Sequence, residues 1–199
     1  MFFNKNLKSE LIFVSNMVCH CCMKLICYEF KNIKVDVVSI QLGKIEISYD
    51  QTQTNMQLIE NVLIENGFKI ISDREGKLLE QIKIAVRELI HYYNNTNSLI
   101  RNSDYLVEKL GISYSQMSKI FSKFENTTLE KFIILHKIEK VKQLMEDGEL
   151  TLSEIAFMMG YSSTQYLSSQ FKSIVGCTFS EFKANPSLYK KDLHNLMIL

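Results

Sequence analysis

This chain of 199 residues has no long apolar run, no export signal, a single proline and almost no excess of charge of either sign. No stretch of about 20 uncharged apolar residues occurs, which argues against a helix crossing a membrane. The opening MFFNKNLKSELIF has no sustained apolar region and no small-residue cleavage site, which argues against export. A cytoplasmic location is therefore expected, with the five cysteines held reduced. Charge is nearly balanced, 23 Lys+Arg against 22 Asp+Glu for a net +1. Composition alone thus gives no reason to expect phosphate binding. The single proline, Pro186, leaves the helical patterns upstream uninterrupted.

What is present is apolar content of 46%, enough for packed cores. The length exceeds one typical domain and suits two small ones.

From Thr151 to Lys183 the sequence reads TLSEIAFMMGYSSTQYLSSQFKSIVGCTFSEFK. Leu152, Ile155, Ala156 and Met159 recur at helical spacing up to Gly160, and Tyr166, Leu167, Phe171 and Ile174 form a second stripe ending at Gly176. Gly160 can adopt the left-handed conformation that closes the first helix, and Ser162, Ser163 or Thr164 can cap the second. The second helix turns Thr164, Gln165, Ser168 and Ser169 outward, with Lys172 its only cation and no acid from Ser162 to Ile174. Such a helix can lie in a major groove. Periodicity alone would equally describe a surface helix hairpin in any α-helical protein.

The pattern carried by Ile155, Ala156, Gly160, Tyr161, Ser162, Tyr166, Ser168, Phe171, Lys172, Gly176, Thr178, Glu181 and Phe182 closely resembles the second helix-turn-helix of the AraC/XylS family of bacterial transcription regulators. That family carries two such motifs joined by a long helix. Upstream, Ser103 can cap DYLVEKL, Gly111 ends it, and a helix follows with Met117, Ile120, Phe121 and Phe124 on one face. Its other face carries Ser115, Gln116, Lys119 and Lys123. Between the motifs, TLEKFIILHKIEKVKQLMEDG lacks proline and internal glycine and suits a rigid connecting helix. Its Lys131, Lys137, Lys140 and Lys142 could sit near phosphates or form a solvated face. The resemblance implies base reading by Ser115 and Lys119 in the first motif and by Gln165 and Ser169 in the second. Ser169 and Phe179 depart from the family's usual arginine and proline.

In the first seventy-odd residues, ELIFVSN reads as a strand and CCMKLICYEFKN as a helix with Leu25, Ile26 and Phe30 inward. KVDVVSIQ and KIEISYD alternate apolar and polar residues around Leu42-Gly43, a hairpin. TNMQLIENVLIENG is helical to Gly67, and FKIIS is a last strand. The expected fold is α+β: a ferredoxin-like βαββαβ domain over residues 1–73, a linker or first helix over 74–95, and an all-α tandem helix-turn-helix domain over 96–199.

The loop before the first helix contains Met17, Cys19, His20, Cys21 and Cys22. Met17, Cys19 and Cys22 fit M-x-C-x-x-C and resemble the loop of heavy-metal-associated domains, with Asn16 where that family has glycine. Two thiolates on a loop running into a helix can face one ion. Sulfur donors suit Cu(I) or Zn(II), and His20, Cys21 or a second subunit could complete a zinc site. A domain kept only for dimerisation would also retain the fold. Cys27, Cys177 and His91 are expected to pack.

The resulting expectation is a non-enzymatic, sequence-specific regulator that binds double-stranded promoter or operator DNA. It would be homodimeric through its N-terminal domain and responsive there to a thiophilic metal or to thiol state. Competing readings are a DNA-repair methyl acceptor, which would need a second, distant cysteine pair, and a metal-buffering protein with a vestigial DNA module.

Overall fold

The computed structural model describes residues 6–92 and 102–189. Residues 93–95 of the expected linker, the stretch 96–101 and the tail 190–199 lie outside them. The chain divides into two compact units, Met1–Ile84 and Ala85–Leu199.

The first unit runs β1 (Leu7–Ser15), α1 (His20–Asn32), β2 (Val35–Gln41), β3 (Lys44–Asp50), α2 (Met56–Glu65) and β4 (Lys69–Ile70). Its four strands lie in the order β2-β3-β1-β4, and each neighbouring pair is antiparallel. Period-two alternation sets the register: Ile45, Ile47 and Tyr49 of β3 are buried, as are Ile12 and Val14 of β1. They meet Ile26 and Phe30 of α1 and Ile59 and Leu63 of α2 in one core. A bulge between Val37 and Ser39 interrupts the pairing of β2 with β3 and leaves Val38 exposed.

Two expectations need correction here. Leu25 is exposed, because the buried stripe of α1 runs through Ile26 and Phe30 four residues apart. The final strand shrinks to Lys69–Ile70, although the Ile71 amide still donates to the Phe13 carbonyl at 2.8 Å.

Helix α3 (Arg74–Arg87) begins in the first unit, where the Cδ1 of Ile84 approaches so near Gly43 that a Cβ there would lie 2.7 Å from it. It continues into a π-helical turn, Glu88–Tyr92.

The second unit contains α4 (Asn102–Leu110), α5 (Tyr114–Phe124), α6 (Leu129–Asp147), α7 (Leu152–Met158), α8 (Thr164–Val175) and α9 (Phe179–Ala184). Hydroxyl caps start five of these: Ser113, Thr128, Thr151, Ser163 and Thr178 each accept from a backbone amide two or three residues into the helix. At Thr151 and Thr178 the third helical residue, Glu154 or Glu181, reaches back to complete a capping box. Ser103 is no cap, since α4 already starts at Asn102 and the Ser103 hydroxyl donates to Asp104. Phe124 and Tyr166 are exposed, so the buried stripes are Met117, Ile120 and Phe121 in α5 and Leu167 and Phe171 in α8. Phe179 stacks on Phe171 with ring centroids 4.3 Å apart.

Candidate nucleic-acid interface and dithiol loop

The turn between α7 and α8 is built as the spacing required. Gly160 has φ +70°, its amide donates to the Phe157 carbonyl at 3.0 Å, and the Tyr161 amide donates to Ala156 at 2.8 Å. This pair of bonds is the Schellman closure. The chain then passes Ser162 to the cap Ser163, whose hydroxyl accepts from the Tyr166 amide at 3.1 Å.

On α8, Gln165, Ser169 and Lys172 are exposed while Thr164 and Ser168 are half-buried. The Ser168 hydroxyl donates to the Thr164 carbonyl at 2.8 Å, and the Thr164 hydroxyl donates to the Gln165 side-chain oxygen at 3.2 Å. The amide NH2 of Gln165 can therefore still donate outward. On α5, Ser115, Gln116, Lys119 and Lys123 are all exposed. Ser115 lies 3.1 Å from the capping Ser113 hydroxyl, and the Lys123 ammonium sits 5.3 Å from the Phe124 ring centroid.

The connecting helix differs from a uniform phosphate-facing row. Lys142 is buried and donates to Glu139 at 2.6 Å. Lys137 donates to the Met159 carbonyl at 2.8 Å, and burial pushes its amine below the ordinary lysine value. Both are structural groups, which periodicity could not distinguish from surface lysines. Lys131 is exposed.

His91 Nε2 and His136 Nδ1 lie 3.2 Å apart. Burial, the Arg87 charge and His91 push His136 down to about 3. Burial, then Lys140 and Arg87, lower His91 as well. The sequence placed His91 as a packing residue, and the pairing with His136 carried no sequence signal.

In the first unit, Cys19 and Cys22 have Sγ atoms 3.7 Å apart at the start of α1. Asn16 takes φ +67°, the left-handed conformation that glycine most readily adopts, and its side-chain amide donates to the Gly67 carbonyl at 3.1 Å. That bond ties the loop to the end of α2. Burial works against a Cys19 thiolate, yet hydrogen bonds from the backbone and side chains of Cys22 and Cys21 outweigh it. The thiol consequently sits below its ordinary value. Met17 is fully buried in the core, whereas His20 and Cys21 are exposed. Among the described residues no three His, Cys, Asp or Glu side chains converge on a point that could hold an ion. Two soft donors at this separation fit a thiophilic ion, and Cys19 and Cys22 are the residues that would hold it.

Residues 106–185 match the helix-turn-helix domain family. The chain is 32% identical over 156 residues to the xylose operon regulatory protein of Escherichia coli, covering 75% of this chain and 40% of that protein. It is 28% identical over 110 residues to the Msm operon regulatory protein of Streptococcus mutans, covering 55% of this chain and 36% of that one. The crystal structure of a DNA-binding transcriptional dual regulator from Escherichia coli K-12 superposes with a TM-score of 0.44 at 18% identity, over 54% of this chain and 93% of that one. The chain thus spans about two fifths of the length of the regulators it matches in sequence. No helix among the described residues is long and apolar enough to cross a membrane. Residues 106–185, with α5 and α8 each following a tight turn, form a helix-turn-helix domain.

Proposed function

We propose that this chain is a sequence-specific DNA-binding transcription regulator of the AraC/XylS type, with α5 and α8 as its two recognition helices. The observation that carries the reading is the pair of hydroxyl-capped, acid-free helices. Each presents an exposed donor set, Ser115, Gln116, Lys119 and Lys123 on α5 and Gln165, Ser169 and Lys172 on α8. Lysine can donate to guanine acceptors and glutamine can pair with adenine, each good contact contributing about 1–3 kcal/mol of discrimination. Similarity to regulators of the xylose and Msm operons supports the same reading.

The balanced charge implies modest intrinsic affinity, so that pairing of chains or of sites supplies part of the binding. The sheet order β2-β3-β1-β4 supports a ferredoxin-like first unit, and the loop holding Cys19 and Cys22 supports control by a thiophilic ion such as Cu(I) or Zn(II). A bound ion would supply a cross-link between the two sulfurs and do no chemistry on a substrate. A methyl-acceptor role draws no support from a single cysteine pair.

A gel shift and footprint on fragments upstream of the chain's own gene and its neighbours test the proposal. The expected result is a protected site at physiological salt that competes with a large excess of unrelated DNA. Uniform, salt-labile binding to every fragment, with or without Zn(II) or Cu(I), would overturn it.

A further inference from the structure

A cavity in the second unit lies where the end of α6, the start of α7 and α9 meet, and its lining includes no residue of α5 or α8. It measures about 170 Å³ and is walled by Met145, Leu150, Leu152, Ile155 and Phe179. Ile155 is the buried floor, and the other four are half-buried. An apolar cavity of about 150 Å³ is enough to take up benzene. A ring or branched chain of about five or six carbons therefore fits this one.

The charged part of the lining has one sign. Ser180 and Lys183 lie three residues apart on α9, hence on one side of it, and both are exposed, which puts them at the mouth. Acids stand close by in the sequence, yet none lines the cavity. Glu154 of α7 accepts from the amide and the hydroxyl of Thr151, both at 2.7 Å. Glu181 of α9 accepts from the Thr178 amide at 2.7 Å and its hydroxyl at 2.8 Å. The two capping boxes thus keep these carboxylates at their own helix starts, and Lys183 sets the charge that suits the mouth.

Phe179 joins the cavity to α8. Its ring forms part of the wall and also stacks on Phe171, with centroids 4.3 Å apart and planes 27° apart. Phe171 is fully buried, so a shift of Phe179 against an occupant is passed to α8 by close packing. The AraC/XylS pattern has proline at this position and would offer no such aromatic wall.

We propose that this cavity binds a small monocarboxylate with a hydrocarbon body of about five or six carbons. The body packs on Leu152, Ile155 and Phe179, and the carboxylate accepts from the Lys183 ammonium and the Ser180 hydroxyl. Occupation then biases the setting of α8 through Phe179 and Phe171. Binding stands on the cavity alone, whereas its effect on DNA rests on the reading of α8 as a recognition helix.

The test is methyl-resolved NMR of the full chain, titrated with cyclohexanecarboxylate, the neutral cyclohexanecarboxamide and acetate. Saturable shifts are expected for the carboxylate at Leu150, Leu152 and Ile155, extending to Leu167 of α8, with a Kd on the order of 0.1–1 mM for a ligand of about nine non-hydrogen atoms. The carboxamide and acetate should each bind about tenfold more weakly. Lys183→Met should weaken the carboxylate about tenfold and leave the carboxamide unchanged. Phe179→Pro, a residue suited to the first helical position, should abolish the shifts while the remaining methyl signals keep their dispersion. On the DNA fragment found by footprinting, saturating carboxylate should change the affinity of the parent and not that of Phe179→Pro. Equal binding of the carboxamide, or an unaffected Lys183→Met, would overturn the carboxylate as the ligand class. No saturable shift, or shifts scattered away from the cavity, would overturn the site. Shifts that stop short of Leu167 with unchanged DNA affinity would overturn the coupling. A chain that binds no specific DNA yet shows the cavity shifts would refute the regulator reading and support the site.

Discussion

Lys137 of the connecting helix donates from its ammonium to the carbonyl oxygen of Met159, the residue that caps the C-terminus of α7, at 2.8 Å. The same ammonium lies 5.4 Å from the Tyr161 ring centroid. One half-buried cation therefore closes the first helix of the second motif and fixes it to α6. Carbonyls at a helix C-terminus lack intrahelical partners and carry partial negative charge, so a cation suits this place.

Replacing Lys137 with Met keeps much of the aliphatic volume and leaves the Met159 carbonyl without its donor. Loss of a hydrogen bond to a charged group costs about 1.5–3 kcal/mol. Urea unfolding of Lys137→Met should show a lowered midpoint of that order. An unchanged midpoint would mean water replaces the amine at no cost.

Gly160 permits a comparison in which sterics play no part. A Cβ there would meet nothing nearer than the Lys137 Nζ at 3.8 Å, so the penalty for Gly160→Ala comes from φ +70° alone. A left-handed conformation costs an ordinary residue about 1–2 kcal/mol, and asparagine tolerates it better. Thermal unfolding should rank the parent above Gly160→Asn, and Gly160→Asn above Gly160→Ala. Equal stability of the two variants would contradict the Schellman closure.

The His91 and His136 rings lie within hydrogen-bonding distance, nitrogen to nitrogen 3.2 Å, against Phe132 on one side and with Arg87 and Lys140 as the charges around them. Both pKa values lie below the ordinary 6.5, His136 at about 3. The unfolded chain therefore binds more protons than the folded one between those values, and stability falls as pH drops below about 6.5. The contribution of this pair should be flat above pH 7. Unfolding midpoints at pH 7.5 and pH 5 should differ in the parent and differ less in His136→Phe, where only His91 still titrates with a lowered pKa, since carboxylates titrate mainly below that window. An undiminished difference in the variant would place the acid sensitivity elsewhere.

Legibility in the sequence followed the range of the interaction. Caps and turns are local, and Ser163, Gly160 and the Leu42-Gly43 hairpin stand where spacing put them. Leu25, Phe124 and Tyr166 were placed inward because an apolar residue near a helical stripe looks the same whether or not a neighbour covers it, and here none does. Lys137 and Lys142 failed in the opposite sense. A lysine in a helix reads as solvated, and only the tertiary partners, the Met159 carbonyl for Lys137 and the Tyr189 carbonyl for Lys142, show that each is committed to the fold. At the dithiol loop the pattern picked out Cys19 and Cys22, while the 3.7 Å between their sulfurs needed coordinates.

A division of labour between α5 and α8, the recognition helices of the proposed function, is expected from side-chain chemistry and can be separated experimentally. Lys119 projects one turn into α5 and Gln165 one residue into α8, and both are exposed. Lys123 lies a further turn along α5, where a cation meets phosphate more readily than a base edge. Lys119→Ala and Gln165→Ala should each cost about 1–3 kcal/mol on the cognate site and little on unrelated DNA, lowering the specificity ratio. Lys123→Ala should weaken cognate and unrelated DNA alike and reduce the slope of log affinity against log salt by about 1. Fluorescence anisotropy across a salt series on both DNAs gives all of these quantities. If Lys119→Ala lowers the salt slope and spares the ratio, Lys119 contacts the backbone, and sequence reading by α5 falls to Ser115 and Gln116.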